Sequence, residues 1–337
     1  MDTRQFAAAW RKIVSGKAPL LSIEITRECP LRCPGCYAYE DNHLGGLVTL
    51  RQLTDSRDDD LVHGVVELVK QQKPQQVSIV GGEPLIRHRE LSRILPRLSG
   101  MGVNTLVVTS AVIPIPAEWM SIPRVKVAVS VDGLRDDHDK RRYPATYDRI
   151  LKNIAGVKID ISWVITAPQM ERSGYLDEYL SFWTSVPEVD RIWLSIYTPQ
   201  KGESSNEILS REQRRQLAQI LPGLKHRYPA LFVPTGMEDS ILTPPVNPDE
   251  CVFSKLSVNY SADLKTRVEP CFFGGNPDCS QCGCAVSTSL HSIGKKKVLG
   301  PIKINHLMKG SLAIGSLVNR LCSNAPQGVR WAGKPGF

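Results

Sequence analysis

Short apolar runs alternate with amphipathic segments along most of this chain, and the alternation predicts its secondary structure. Six runs rich in Val and Ile predict strands at Leu21 to Thr26, Gln76 to Val80, Val103 to Val108, Val125 to Val131, Ile159 to Ile165 and Arg191 to Tyr197. Helical periodicity predicts helices near Asp58 to Gln72, Arg89 to Ser99, Thr146 to Ile154, Gly174 to Trp183 and Arg211 to His226. Repeated strand-helix units indicate a parallel sheet whose strands are buried on both faces.

Six strand-helix units predict an α/β fold, a partial (β/α)6 parallel barrel rather than the closed eight-stranded form. The functional site of such a fold lies at the carboxyl ends of its strands. The predicted organisation is an N-terminal helix in 1–18, the barrel in 19–228, a proline-dense linker in 229–249, a small cysteine-rich region in 250–290 and a basic tail with a helix in 291–337.

Composition narrows the class of protein. The 337 residues include nine cysteines, an odd number grouped at close spacings, which favours metal ligation in a reducing compartment over a disulfide framework. No run of about 18 apolar residues occurs, and the N-terminus lacks the order of a signal peptide. We therefore expect a soluble, cytoplasmic protein.

Charge is concentrated at one end of the chain. The net charge is +8, and residues 285–337 contain eight Lys and Arg but no Asp or Glu, so the rest of the chain is formally neutral. Such a tail could attract an acidic or phosphorylated substrate or an anionic membrane surface, whereas a solvated surface with no partner explains the same pattern. Nucleic acid is not an expected partner.

Three cysteines follow the first predicted strand at C-x3-C-x2-C spacing: Cys29, Cys33 and Cys36. Three thiolates on one loop can hold three corners of a [4Fe-4S] cluster, whereas a closed structural site needs a fourth ligand. The iron left open could bind a substrate or a cofactor. On spacing alone, part of a zinc site and unrelated thiols remain alternatives.

Two further motifs extend this pattern. The second strand ends in Gly81-Gly82-Glu83-Pro84, where two glycines permit a sharp turn and a close approach of the backbone. The fourth strand ends in Ser130-Val131-Asp132-Gly133, followed by a short polar stretch that contains Arg142. Together with the cysteine triplet, these motifs resemble the radical S-adenosylmethionine (SAM) superfamily, in its SPASM/Twitch-like branch.

The resemblance implies a role for each matching residue. The open iron would take the amino and carboxylate groups of SAM, and the segment Gly81, Gly82 and Glu83 would contact its amino group. Ser130 and Arg142 would contact its ribose or carboxylate, and a guanidinium can bind both carboxylate oxygens. Tyr37 would cover the adenine, with a packing role as the alternative. The chain departs from the family pattern at Gly35, Ser110 and Tyr143.

A second cysteine group comprises Cys251, Cys271, Cys279, Cys282 and Cys284. Residues 256–260 and 266–270 predict a hairpin that delivers Cys271. The arrangement resembles the Twitch-like auxiliary-cluster region of the family, with Cys251, Cys271, Cys279 and Cys282 as the preferred ligands of a second [4Fe-4S] cluster. Zinc is the alternative for four cysteines at this spacing, and Cys284 could replace Cys282.

The resemblance implies a radical SAM enzyme of the oxidoreductase or maturase type. It would cleave SAM reductively to a 5′-deoxyadenosyl radical and abstract hydrogen from a peptide, protein or small metabolite, with the auxiliary cluster assisting electron transfer. An electron donor such as flavodoxin or ferredoxin is the expected partner. The alternative is an iron-sulfur or zinc-bearing binding protein without radical chemistry.

Overall fold

A parallel sheet forms the centre of the molecule. The computed structural model describes residues 3–144, 147–300 and 302–322, so the predicted helix start at Thr146 and the basic residues Arg330 and Lys334 lie outside the described part. The strands are β1 Leu20–Glu24, β2 Gln76–Val80, β3 Asn104–Thr109, β4 Val125–Ser130, β5 Ile159–Ile165, β6 Val189–Ile196, β7 Leu231–Phe232, β8 Ser257–Tyr260, β9 Lys297–Leu299 and β10 Ile302–Lys303.

Eight of these strands form one sheet in the order β7-β6-β5-β4-β3-β2-β1-β8, and every neighbouring pair in it is parallel. All six predicted strands are present, within two residues of their predicted ends. The predicted α/β fold, an open parallel barrel, is confirmed. Strands β9 and β10 form a separate antiparallel pair.

Helices cover the outside of the sheet. They are α1 Thr3–Val14, α2 Asp58–Gln72, α3 His88–Gly100, α4 Arg135–Arg141, α5 Tyr147–Ile154, α6 Ala167–Glu171, α7 Tyr175–Ser185, α8 Arg211–Arg227, α9 Met237–Leu242, α10 Val252–Leu256, α11 Ala285–Lys295 and α12 Ile304–Cys322. Local sequence explains the helix ends. Three aspartates fill the first turn of α2, and Ser210 and Gln213 form a capping box at α8. Within the described ranges, no helix has the length and apolar character needed to cross a membrane.

The core lies between the sheet and the helices. Alternate strand residues such as Ile79, Val107 and Ile161 are fully buried there. The ring of Trp163 stacks on that of Tyr179, with centroids 4.0 Å apart. This packing fixes the strand ends, and therefore the loops that follow them.

Two short strands of the sheet differ from the prediction. Strand β7 lies within the segment predicted as a linker. Strand β8 coincides with the first arm of the predicted hairpin, but it pairs in parallel with β1. The antiparallel contact of the hairpin is a single bridge between Tyr260 and Arg267. The cysteine-rich region therefore shares the barrel sheet instead of standing apart from it.

The barrel is open between its two edge strands, β7 and β8. The C-terminal helices lie on this open side. Helix α11 contacts α9, near β7, and α10, which leads directly into β8. Helix α12 packs against α11 and α1, where Ile13, Leu256 and Met308 share an apolar cluster. It is thus α11 that spans the open side, with α12 outside it.

Candidate functional site

The cysteine triplet lies on the loop that leaves β1 at the carboxyl edge of the sheet. A buried carboxylate anchors the start of this loop: Asp55 accepts hydrogen bonds from Thr26 Oγ1 at 2.7 Å and from Arg27 N at 3.0 Å. Arg87 Nη2 donates to the same carboxylate at 2.5 Å. The loop therefore begins from a fixed point, although Cys29, Cys33 and Cys36 are themselves half-buried.

The three thiols favour their protonated form in the protein alone. Burial raises the pKa of Cys29 to about 12. Burial also raises the pKa of Cys33 and of Cys36, against the opposing effect of the nearby Arg142 guanidinium. A metal that binds these thiolates would therefore displace protons from them.

Gly81 and Gly82 hold the second motif directly against the cysteine loop. Both have positive φ, +79° and +49°. A Cβ at residue 81 would lie 2.3 Å from Glu24 Cβ, and one at residue 82 would lie 2.2 Å from Glu28 O. Glu83 N donates to Glu28 O at 2.8 Å. The glycine pair is therefore required by close packing as well as by backbone conformation.

Glu83 is buried and its carboxylate is occupied by the protein. Oε1 accepts from Leu85 N at 2.9 Å and from Thr109 Oγ1 at 2.5 Å. Oε2 accepts from Ser110 N at 2.8 Å and also from the Ser110 hydroxyl. The carboxylate thus ties the end of β2 to the end of β3. Contact of Gly81, Gly82 and Glu83 with a SAM amino group stays a prediction.

The third motif forms a buried charge network beside the triplet. Asp132 is fully buried and accepts from Arg142 Nε at 2.7 Å and from Arg141 Nη1. Burial alone would raise the pKa of Asp132, but Arg142 and Arg141 outweigh it and lower the pKa to about 2. Arg141 Nε also donates to Glu207 Oε1 at 2.7 Å. This network fixes the position of Arg142 near Cys33.

Ser130 is the last residue of β4 and is buried. It precedes Asp132 by two residues, so it lies at the same edge of the sheet as the buried network. The predicted pair of Ser130 and Arg142 is therefore brought to one strand end. Their contact with SAM stays a prediction.

Tyr37 packs against the second cysteine region. Its ring centroid lies 5.2 Å from that of Phe273, 5.9 Å from that of Phe272 and 5.8 Å from that of His43. Because Tyr37 follows Cys36 and Phe272 follows Cys271, these rings join the two cysteine groups. The structure provides the packing role of Tyr37, and a role over adenine stays a prediction.

A buried pair, His43 and Glu24, lies where the two cysteine groups meet. His43 Nε2 lies 2.6 Å from Glu24 Oε1, and Ser261 Oγ donates to Glu24 Oε2 at 2.5 Å. His43 Nδ1 lies 2.9 Å from Phe273 O, which can only accept, so Nδ1 carries a hydrogen. The contact between Nε2 and Glu24 therefore needs one further proton. Strand β1, the cysteine loop and the segment after Cys271 are held together here.

The five C-terminal cysteines gather around one cavity. Cys251, Cys271, Cys279, Cys282 and Cys284 all line one apolar pocket, together with proline and phenylalanine side chains. Burial raises the pKa of Cys279 to about 11 and raises the pKa of each of the other three thiols for which a shift is resolved. An apolar pocket lined by thiols offers the donors that an iron-sulfur cluster or a zinc ion binds.

Cys284 lies at the start of α11. It precedes the helix, and its Sγ accepts a long hydrogen bond from Ser287 N at 3.5 Å. Cys251 Sγ lies 3.4 Å from the hydroxyl of the same serine. An N–H bond to sulfur is compatible with metal ligation, and Cys29 Sγ of the first group accepts one from Leu31 N. The ligand set, including the choice between Cys282 and Cys284, stays a prediction.

The cavity lies at the same edge of the sheet as the triplet. Gly283 N donates to Thr198 Oγ1 at 2.9 Å, and a Cβ at residue 283 would lie 2.4 Å from Ile196 O. Gln200 forms an antiparallel bridge with Pro277. Since β8 lies beside β1 and these contacts lie beyond β6, residues 261–284 cross the mouth of the barrel.

Neither cysteine group is arranged to hold a single ion as it stands. Within the described ranges, no three or more His, Cys, Asp or Glu side chains converge on one ion-sized point. A cubic cluster needs no such convergence, because each cysteine binds a different iron. The donor set, the thiol-lined cavity and the close glycine packing therefore fit clusters of this kind at both positions.

Sequence reasoning missed several residues that organise this site. Asp55, Thr109 and His43 make buried hydrogen bonds to the cysteine loop, Glu83 or Glu24. Ser110, which departs from the family pattern, is a direct partner of Glu83. The sequence did mark Thr109 and Ser110, because they lie at the end of the third strand, beside the strand that carries the second motif. No local signal marked Asp55 or His43.

Comparison with known proteins agrees with the geometry. Residues 23–160 match a family model described as the radical SAM superfamily. A curated relative, 7-carboxy-7-deazaguanine synthase of Hyperthermus butylicus, is 29% identical over 102 residues, which are 30% of this chain and 39% of the relative. Residues 23–160 contain the cysteine triplet and both further motifs.

Solved structures share the fold. SuiB of Streptococcus suis bound to the precursor peptide SuiA has a TM-score of 0.58 at 17% identity, covering 80% of this chain and 63% of SuiB. Native anSMEcpe with bound AdoMet has a TM-score of 0.52 at 14% identity, covering 90% of this chain and 97% of the other. The chain spans less than two thirds of the length of SuiB and of the curated relative.

Proposed function

We propose that this chain, which carries a radical SAM domain, binds a [4Fe-4S] cluster through Cys29, Cys33 and Cys36 and catalyses a radical reaction on an unidentified substrate. The observation that carries the proposal is the packing of Gly82 on the backbone of Glu28, one residue before the first cysteine. This contact supports the proposal, because it brings the turn that resembles the SAM-binding motif against the three-cysteine loop. Chance thiols or half of a zinc site would not need this contact.

The protein's own residues would bind and orient the cofactor. When bound, a reduced cluster of this class supplies the electron that cleaves SAM to methionine and a 5′-deoxyadenosyl radical. Arg142, held by Asp132, offers a fixed cation for the SAM carboxylate. Glu83 braces the turn that faces the amino group, and Ser130 lies at the neighbouring strand end. The half-buried rings of Phe272 and Phe273 beside Tyr37 would help to exclude water from one side.

We propose an electron-transfer role for the second cysteine group. Four thiols would close its cluster and leave no iron open, so it is better suited to passing electrons than to binding substrate. The peptide-bound SuiB structure supports a peptide or protein as the substrate, while the match to a deazaguanine synthase supports a small metabolite. A flavodoxin or ferredoxin is the proposed donor.

Anaerobic reconstitution with iron and sulfide, followed by dithionite and SAM, tests the central proposal. We expect 5′-deoxyadenosine and methionine in equal amounts, detected by mass spectrometry, and none without dithionite. Cys33→Ala should abolish both products. If the absorbance spectrum shows a formed cluster and no 5′-deoxyadenosine appears, the chain is instead an iron-sulfur binding protein.

A further inference from the structure

Helix α12 exposes aliphatic side chains in the middle of its outward face. Leu307, Ile314 and Leu317 are 43%, 52% and 57% exposed. Spacings of seven and three residues place them on one side of a helix. Three large aliphatic groups on one exposed face are unusual for a helix whose opposite side already packs on the protein.

The opposite side of α12 is held firmly. Met308 is buried in the cluster shared with α1. Gly315 lies so close to α1 that a Cβ there would be 2.1 Å from Ile13 O, and Asn319 Nδ2 donates to Gly16 O at 2.7 Å. Packing on α1 therefore supports α12, so the helix does not depend on its intrinsic helix propensity alone. Gly315 would weaken an isolated helix, but here it permits the close approach of α12 to α1.

Basic residues, and no acidic ones, accompany this aliphatic face in its own segment. Exposed lysines precede or lie on α12: Lys296, Lys297, Lys303 and Lys309. The sequence contains no Asp or Glu after Cys284. Lys295 is excluded from this set, because its Nζ donates to Oγ1 of Thr243, the residue after α9, at 2.7 Å.

We propose that the outward face of α12 docks on an anionic lipid surface, with the helix lying in the plane of the interface. Charge complementarity favours this occupant. Central aliphatic groups with flanking cations can enter the headgroup region while the cations meet lipid phosphates. A second copy of the chain would bring the same cations together. Nucleic acid would call for aromatic or polar side chains where this face has Leu and Ile. The proposal is independent of the radical chemistry.

Flotation of the full-length chain with vesicles tests the proposal. We expect binding to phosphatidylcholine vesicles that contain phosphatidylglycerol, none to pure phosphatidylcholine, and at least about a tenfold loss of binding when salt is raised. Binding to neither vesicle, or equal binding to both, would overturn the proposal. This comparison needs no variant, so misfolding cannot obscure it.

Two sets of variants test the residues. Leu307→Gln, Ile314→Gln and Leu317→Gln together should lower binding by about tenfold or more, and so should Lys296→Gln, Lys297→Gln and Lys303→Gln together. The matched control replaces three exposed lysines in other parts of the chain with glutamine, and it should leave binding to the vesicles unchanged. These lysines are Lys152, Lys158 and Lys265.

Two results would contradict the assignment to this face. One is an equal loss of binding in the control variant. The other is a concentration-dependent dimer in sedimentation that the aliphatic variant abolishes, because it would show that a second copy covers the face.

Discussion

Individual residues hold the candidate site in place. Glu83 joins the ends of β2 and β3, Asp132 holds two arginines, and Gly82 lets the second motif contact the cysteine loop. The Glu83 and Asp132 carboxylates are buried and have partners within the protein, as buried charges must. Substitution at these positions should therefore act through geometry and stability before it acts on chemistry.

Gly82→Ala should disrupt the site. The new Cβ would meet Glu28 O at 2.2 Å, and the backbone φ of +49° is unfavourable for alanine. We expect a loss of about 2 kcal/mol or more in the free energy of unfolding, with lower iron incorporation after reconstitution. The matched control is Gly102→Ala, which has φ +75° but nothing within 4 Å of its Cβ.

The control should show only the backbone cost of about 1 kcal/mol and full iron incorporation. Urea unfolding and iron analysis of both variants provide the comparison. Equal losses in the two variants would show that the contact with Glu28 is unimportant.

His138 should make the protein less stable in mild acid. Burial, aided by Arg142, lowers its pKa from 6.5 to about 4. Its Nδ1 accepts a hydrogen bond from Asp132 N at 3.2 Å, so a proton there would remove the acceptor. The unfolded chain binds this proton below about pH 6.5 and the folded chain only near pH 4, so stability falls as the pH drops through that window.

The His138 contribution to this fall amounts to about 3 kcal/mol between pH 7 and pH 4. Urea unfolding across this range measures it. His138→Asn keeps an acceptor at a similar position and does not titrate, so its stability should show a much smaller slope. An unchanged slope in the variant would assign the acid sensitivity to other groups.

At the scale of elements, loops from distant parts of the chain meet at one edge of the sheet. The cysteine loop, the turn after β2 and the segment after Cys271 contact each other through His43, Tyr37 and backbone carbonyls. Parallel pairing makes this convergence unavoidable, because all strands end on the same side. The two cysteine groups are therefore mechanically linked.

His43→Leu should weaken both cysteine groups. It leaves Glu24 and Phe273 O without their buried partner, which should cost about 3 kcal/mol in the free energy of unfolding. Iron content after reconstitution should fall at both positions. His226→Leu is the matched control, since His226 is exposed and its loss should change stability by less than about 0.5 kcal/mol.

Iron content should be compared with the cluster absorbance and paramagnetic resonance spectra of the same samples. Loss confined to the second cysteine group would mean that His43 supports that group alone.

At the scale of the whole molecule, the C-terminal region completes the barrel. Strand β8 extends the sheet beside β1, residues 261–284 cross its mouth, and α11 spans the side between the edge strands. The second cysteine group is thus part of the same structure as the first. A truncation before residue 250 would remove an edge strand, so the core should not be studied without this region.

Cys279→Ala combined with Cys282→Ala tests the second group. We expect about four irons per chain in place of about eight, with the spectrum of the first cluster retained. Cys284→Ala is the matched comparison and should keep the full iron content, because the preferred ligand set does not include Cys284. Full iron in the double variant and loss with Cys284→Ala would exchange the ligand assignment. Zinc in place of iron after anaerobic purification would favour the zinc alternative.

The parallel α/β fold could be predicted because strand and helix periodicity is local, and all six predicted barrel strands formed. Strand β7 could not be predicted, because two residues carry too little pattern. The parallel pairing of β8 with β1 could not be predicted either, because it depends on contact between distant segments. The triplet and the glycine turn were recognisable by spacing, whereas Asp55 and His43 act through contacts 19 to 230 residues away in sequence.

The amino-acid sequence by itself determined the order of elements, the three-cysteine loop and the motifs that accompany it, since each depends on residues close together in the chain. Tertiary structure alone decided where β8 pairs, which groups occupy Glu83, how His43 joins the two cysteine groups and which face of α12 points outward. These features depend on packing between distant segments, and no local periodicity records which segments will meet.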